Sequence, residues 1–525
     1  MFSIELVLWL LLLTVAFAWV ARRVAVPYPV VLVLGGLAIG LVPGLPRVAL
    51  EPNVVFLLFL PPILYQAALF TSWRDFRADL RSISLLAVGL VVATTLAVAW
   101  VAHTLVPGLP WPVAFVLGAI VSPPDAVAAT AVLARLKVPR RVVTILEGES
   151  LVNDASALVI YKFAVAAAVT GVFSFGDALT NFALVGAGGV GVGLVIGWFS
   201  IWVHRHVAAE AEVAIVASLI TPFAAYMAAE LIETSGVLAV VTAGLVRGWY
   251  APERFGPRVR MQAYAVWNAV VFLLNGIVFI LIGFELSRAV SIGVAFSTSG
   301  LLRPLLAIAL TAVAVRVLWV FASAGLARVV PIRRGREPNL PWKQTTIVAW
   351  CGMRGVVSLA AALALPLTTA DGAAFLGREL VILIAFAVIF VTLVVQGLSL
   401  PVVIRSLRVG IDSKVAREEM VARLKAAHAA IAEIDRMAAV GLYPVEALEA
   451  LRGEYKRRLM ELRAFARAGD STAAAETSRA WRGAHRAVIA AERRRLLKLR
   501  RDRIIGDQVL RRVQFELDLE ELRLG

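Results

Sequence analysis

Over most of its length the chain places apolar residues in runs of about 20, bounded by charge, Pro or Gly, which is the length an α-helix needs to cross a bilayer. Thirteen such runs can be marked, near residues 4–21, 27–42, 53–70, 83–106, 112–134, 142–170, 179–203, 211–232, 236–249, 263–286, 304–327, 345–368 and 379–404. From about Asp412 the pattern changes: Ala, Leu, Glu and Arg dominate, with breaks at Gly441-Leu-Tyr-Pro444 and Gly469-Asp-Ser471, which predicts a group of charged helices. The first run resembles a secretory signal in length. Yet it carries Glu5, has no Lys or Arg ahead of it and is followed by Arg22 and Arg23, an order that favours a retained helix with its N-terminus outside.

Composition sharpens the division. The 525 residues are 60% hydrophobic and 17% charged, with mean hydropathy +0.84. Of the 52 Lys+Arg and 36 Asp+Glu, half of each, 26 and 18, fall in the last 121 residues. We therefore expect two domains, a transmembrane domain over 1–404 and a cytoplasmic helical domain over 405–525. Disorder, collagen and a secreted disulfide scaffold are excluded. The net charge of +16 needs no nucleic acid to explain it, because cytoplasmic loops carry Lys and Arg anyway. The single cysteine, Cys351, cannot form an intrachain disulfide and reads as a small apolar residue in a helix.

Loop charge tests the topology. Loops after odd-numbered runs hold nearly all the loop Lys and Arg, whereas the alternate loops hold only Arg47, Arg288, Arg303 and Arg378. The basic tail lies on the rich side, so the tail is expected in the cytoplasm and the N-terminus outside. Thirteen spans also divide as six, one and six, the arithmetic of two inverted repeats joined by a linker helix.

The polar interruptions concentrate in runs 5, 6, 11 and 12. Run 5 contains Ser122-Pro123-Pro124-Asp125, with Asp125 about 20 Å along the helix from Pro112. Consecutive prolines remove two donors and clash with the preceding turn, so the helix should break beside the carboxylate. In run 6, Glu147, Ser150 and Asp154 share one helical face, and Glu149 and Asn153 a neighbouring one. A charge at the centre of a lipid-facing helix costs roughly 2.5–3.5 kcal/mol, so these four acids would cost on the order of 10 kcal/mol together if they faced lipid. They must face each other, a cation or water. Arg316 and Arg354 lie at similar depth, and two arginines against four acids leave carboxylates to spare. Such an acid, withdrawn from water, can hold either a proton or a hard monovalent cation. If only the loaded site can cross, the two ligands exchange across the membrane.

At these residues the chain resembles the sodium/proton exchangers of the first monovalent cation:proton antiporter family, the NhaP-like bacterial members especially. The resemblance is carried by FLLFLPPILYQAALFTSWRDFR from Phe56, GAIVSPPDAVAATAVL from Gly118, LEGESLVNDASALVIYKFA from Leu146, LNGIVFILIGFEL from Leu274 and GMRGVVSLAAALALP from Gly352. It implies an all-α polytopic homodimer in the cell membrane, with two broken helices crossing at the ion site. It also implies that Asp154 is the essential cation- and proton-binding carboxylate, and that Asn153 before it marks electroneutral exchange. Ser150 and Asp125 would complete the cation site, with the Pro124 carbonyl beside them. Glu149 would pair with Arg316, leaving Arg354 as a second structural or gating charge. Many members have Thr-Asp-Pro where this chain has Pro124-Asp125-Ala126, and the missing hydroxyl leaves cation selectivity open.

The expected function is thus Na+/H+ antiport (Li+ or K+ being alternatives) that supports pH homeostasis, without enzymatic chemistry or a cofactor. A K+/H+ exchanger, a cation channel and a membrane sensor are the rivals. Two further patterns are discounted. Gly186-Ala-Gly188-Gly-Val-Gly191 fits a dinucleotide motif but sits inside an apolar run, where Gly189, Gly193 and Gly197 read as a stripe for close helix packing. His204 and His206 flank Arg205 in what is expected to be a solvated loop.

Overall fold

The computed structural model describes residues 4–42, 54–133, 136, 138–171, 175–207, 210–254, 256–295, 298–329, 340–370, 372–409, 413–441, 443–468, 472–504 and 506–523. Arg47 and the tail break at Gly469-Asp-Ser471 lie outside the described residues, as does the side chain of Arg288. Apart from one isolated bridge between Thr368 and Ala374, the described residues form helices and their connections.

Besides a short helix at Trp73–Ala78, the chain first forms α1 Ile4–Arg23, α2 Tyr28–Gly40, α3 Leu60–Phe70, α4 Leu80–Leu105, α5 Trp111–Val121, α6 Ala126–Leu133, α7 Arg140–Thr170, α8 Phe175–Val207, α9 Ala211–Leu231, α10 Gly236–Arg254 and α11 Pro257–Ala295. Then come α12 Thr298–Val329, α13 Trp342–Trp350, α14 Val356–Leu363 and α15 Arg378–Leu407, followed by α16 Ser413–Val440, α17 Val445–Ala468, α18 Thr472–Arg501 and α19 Asp507–Arg523. Among the described residues nine helices are long and apolar enough to cross a membrane, and three apolar helices are shorter: Tyr28–Gly40, Val55–Phe70 and Gly236–Ala251. The run at 345–368 is not continuous helix. It unwinds between α13 and α14, so that Cys351, expected inside a helix, is the first unwound residue. The chain separates into two compact units, Met1–Ile411 and Asp412–Gly525.

Within the first unit, α4 to α7 pack with α12 to α15, while α2, α3 and α8 to α11 form a second set of neighbours. Lipid tails are as apolar as Leu, so helices in a bilayer associate through close packing. Small residues provide it. A β-carbon on Gly36 of α2 would lie 2.3 Å from the Ile280 carbonyl oxygen of α11, and one on Gly283 equally close to that of Val33. The Gly189 and Gly193 positions of α8 likewise press on the carbonyls of Ser235, just ahead of α10, and of Ala239 within it, at 2.5 Å each, and Gly197 meets Ala243. The glycine pattern is therefore a packing stripe.

α8 runs to Val207, which corrects the expectation of a solvated loop at the histidines: His204 is buried on its last turns. Before α3, residues Val55–Phe59 make wide i→i+5 turns. Pro61 and Pro62 have no N–H to give to Leu57 and Leu58, and the ladder shifts register there. α7 starts directly after Pro139 and stops at Gly171, whose φ of 73° favours glycine.

Candidate functional site

α5 ends at Val121, and the chain passes through Ser122, Pro123, Pro124 and Asp125 before α6 begins at Ala126. Opposite it lies the unwound stretch Cys351–Gly355. The two breaks are stitched together. The Asp125 backbone N–H donates to the Met353 carbonyl at 2.6 Å, and the Arg354 side chain donates from Nε to the Val121 carbonyl at 2.9 Å. Arg354 also donates to the carbonyls of Gly352 and of Ala312, the latter at 3.4 Å, and its backbone N–H goes to Thr392 Oγ1 at 3.2 Å. A buried guanidinium thus satisfies carbonyls that the missing helical turns release.

Asp125 is held at this crossing. Its Oδ1 accepts the Val127 N–H at 2.7 Å, while Oδ2 is buried without a described partner. Its neighbour must be glycine: a β-carbon on Gly355 would lie 1.7 Å from Oδ2.

α7 runs past the crossing. Asn153 Nδ2 donates to the Pro124 carbonyl at 3.0 Å, and Ser150 Oγ accepts the Ala126 N–H at 3.5 Å. Asp154 is buried. One recess gathers Pro124, Asp125, Ser150, Asp154, Gly355 and Ser358, and Leu60, Ile63 and Leu64 of α3 close its apolar side. Glu147 is half-buried and does not line it.

Glu149, one helical position from Ser150, serves a different purpose. Arg316 NH1 donates to Oε1 at 2.5 Å and NH2 to Oε2 at 3.0 Å, and both side chains are 1% exposed. NH2 also reaches the Val348 carbonyl of α13 at 3.0 Å. The forked contact ties α7 to α12 and α13 and neutralises the charge.

The eight residues expected to form the cation site and its ion pairs fall on these two linked arrangements, whereas Glu147, the fourth acid, does not line the recess. Asp125, Ser150, Asp154 and Pro124 share the recess, Asn153 braces its rim, and Glu149, Arg316 and Arg354 lie around the crossing. Gly355, Thr392 and Ser358 were not anticipated. Nothing in their spacing marks them, because they matter only where separate helices meet.

Among the described residues no three His, Cys, Asp or Glu side chains gather to hold a metal ion. The recess offers two carboxylates with hydroxyl and carbonyl oxygens, a donor set of hard oxygens. Two broken, mutually stitched helices around acids, in a largely apolar helical chain, define an integral membrane transporter.

The chain belongs to the sodium/hydrogen exchanger family, whose members are transporters and not enzymes. The signature described as sodium/hydrogen exchanger, transmembrane, matches residues 10–406. An uncharacterised Na+/H+ exchanger of Mycobacterium tuberculosis is 37% identical over 530 residues, covering 100% of this chain and 96% of that one. A sodium, potassium, lithium and rubidium/H+ antiporter of Bacillus subtilis is 34% identical over 413 residues, covering 76% and 61%. The sodium proton antiporter MjNhaP1 of Methanocaldococcus jannaschii superposes with TM-score 0.60 at 20% identity, covering 77% of this chain and 98% of that structure. It shares the fold.

Proposed function

We propose that the protein exchanges Na+, with Li+ and K+ as further candidate cargoes, for protons across the cell membrane by alternating access, as a thirteen-span homodimer of inverted repeats with a cytoplasmic tail. One observation carries this. Asp125 and Asp154 line one recess, and among the described residues neither has a Lys, Arg or His in ion-pair contact, whereas Glu149 beside them is neutralised by Arg316. Paired acids stay charged and structural; unpaired ones at depth must take a cation or a proton.

The steps follow from the geometry. A cation shedding water enters the recess and is met by the two carboxylates, Ser150 Oγ and the Pro124 carbonyl. A proton displaces it by neutralising one of the same carboxylates, so each turnover exchanges one cation for one proton. The helices that carry the site move as a block when it is loaded, α5, α6 and α14 being joined through the Asp125–Met353 and Arg354–Val121 contacts and α7 through Asn153–Pro124. Empty and charged, that block would carry uncompensated carboxylates through an apolar barrier, which prevents leak. Asn153 is held by the Pro124 carbonyl and brings no charge of its own, which supports electroneutral exchange.

The Bacillus subtilis relative is named for four alkali cations, and Pro124 offers no hydroxyl, so a K+/H+ exchanger is the second reading. The test is purified protein in liposomes. An imposed Na+, Li+ or K+ gradient should shift internal pH, without dependence on a clamped membrane potential. Asp154→Asn should abolish the shift; exchange surviving in that variant would overturn the site, and current without proton counterflow would make the protein a channel.

A further inference from the structure

Buried hydroxyls in membrane helices ordinarily turn back onto the carbonyl four residues earlier. Here Thr95 bonds to Val91, Ser156 to Val152 and Thr392 to Val388. Ser358, the third residue of α14, does not: its Oγ is buried without a described partner in a residue 1% exposed. Thr94 Oγ1 is the other Ser or Thr hydroxyl so placed among the described residues, and Thr94 is not among those lining the recess; Ser358 is. There it stands with Asp125, Ser150 and Asp154, and Asp125 Oδ2 in the same recess accepts no hydrogen bond of normal geometry.

A buried polar atom left unmatched disfavours the empty state, unless the bound state supplies its partner. A cation, bare or carrying one water, accepts lone pairs from both a hydroxyl and a carboxylate oxygen that line one recess, and so would partner the two at once.

We propose that Ser358 Oγ is a further ligand of the transported alkali cation, contributed by α14 across the recess from Ser150 of α7. This rests on the exchange reading above and deepens it. The site would then draw oxygens from three separate segments: the α5–α6 break, α7 and α14. Removing the cation would leave Ser358 and Asp125 Oδ2 unsatisfied together. The Gly355 position fits this, since any side chain there would strike the Asp125 carboxylate that shares the cation.

The experiment compares wild type, Ser358→Ala and Ser358→Thr as full-length protein, using Na+ itself as the probe. Two quantities are read: the Na+ concentration giving half-maximal exchange in liposomes, and the melting temperature of detergent-solubilised protein with and without Na+. Ser358→Ala is expected to raise the half-saturating Na+ concentration about tenfold, as loss of one ligand to a charge implies. It should melt no lower than wild type in Na+-free buffer, because an unsatisfied hydroxyl has been removed, and should lose most of the Na+-induced rise. Ser358→Thr, which keeps the hydroxyl, should recover both. Unchanged half-saturation with an unchanged Na+-induced rise would overturn the proposal, and so would a lower melting temperature without Na+, the mark of a packing residue. Should the wild type fail to exchange, the antiport reading falls while the melting comparison still decides whether Ser358 binds Na+.

Discussion

Glu149 and Asp154 are both buried carboxylates on α7, and they call for opposite outcomes when neutralised. Glu149→Gln leaves the Arg316 guanidinium an amide oxygen and the Val348 carbonyl but no countercharge, and a buried charge stripped of its partner costs about 3–5 kcal/mol. Thermal unfolding in detergent should show that loss, and Glu149→Gln/Arg316→Met should recover part of it; strict additivity of the two single changes would refute the pair. Asp154→Asn orphans no cation. The variant should unfold no earlier than wild type while its exchange disappears. The sequence placed both arginines at similar depth, so the resemblance, and not the spacing, assigned Glu149 to Arg316. The structure adds the reason: Arg354 spends its donors on the carbonyls of Val121, Gly352 and Ala312, which leaves the carboxylate to Arg316.

At the scale of elements, the site depends on two breaks that were not equally legible. Pro123-Pro124 announces the first, because proline cannot donate and cannot sit in an unbroken turn. The second, Cys351–Gly355, contains no proline and lies in a run apolar enough to read as one helix. What keeps it open is tertiary: the Asp125 N–H bonds the Met353 carbonyl, the Arg354 side chain that of Gly352, and Thr392 the Arg354 N–H, all backbone groups that helix would otherwise satisfy. The wide turns at Thr392–Gln396 were illegible for the same reason, since no local residue demands them. The Gly189, Gly193 and Gly197 stripe, by contrast, was readable from spacing alone. Gly355→Ala tests the crossing directly. Its β-carbon would strike the Asp125 carboxylate, so the two breaks must separate. We expect exchange to fall at least tenfold with the helical circular dichroism spectrum retained; wild-type rates would mean that the contact is not needed for transport. Arg354→Gln should be worse than Gly355→Ala in stability, because it releases several carbonyls at once.

For the whole molecule, orientation follows from charge alone, since no fold feature distinguishes one side of a bilayer from the other. Basic residues crowd the loops after odd-numbered runs, from which those loops and the tail are expected in the cytoplasm. The chain offers a clean test, because its single cysteine, Cys351, is buried at the broken helix and should not react with an impermeant maleimide. Pro107 and His206 are both exposed, at the ends of helices on opposite sides of the expected topology. In intact cells Pro107→Cys should label and His206→Cys should not, and in inverted vesicles the pattern should reverse. Both labelling from one side would break the alternation on which the thirteen-span count rests. A full reversal would keep the count but place the tail outside.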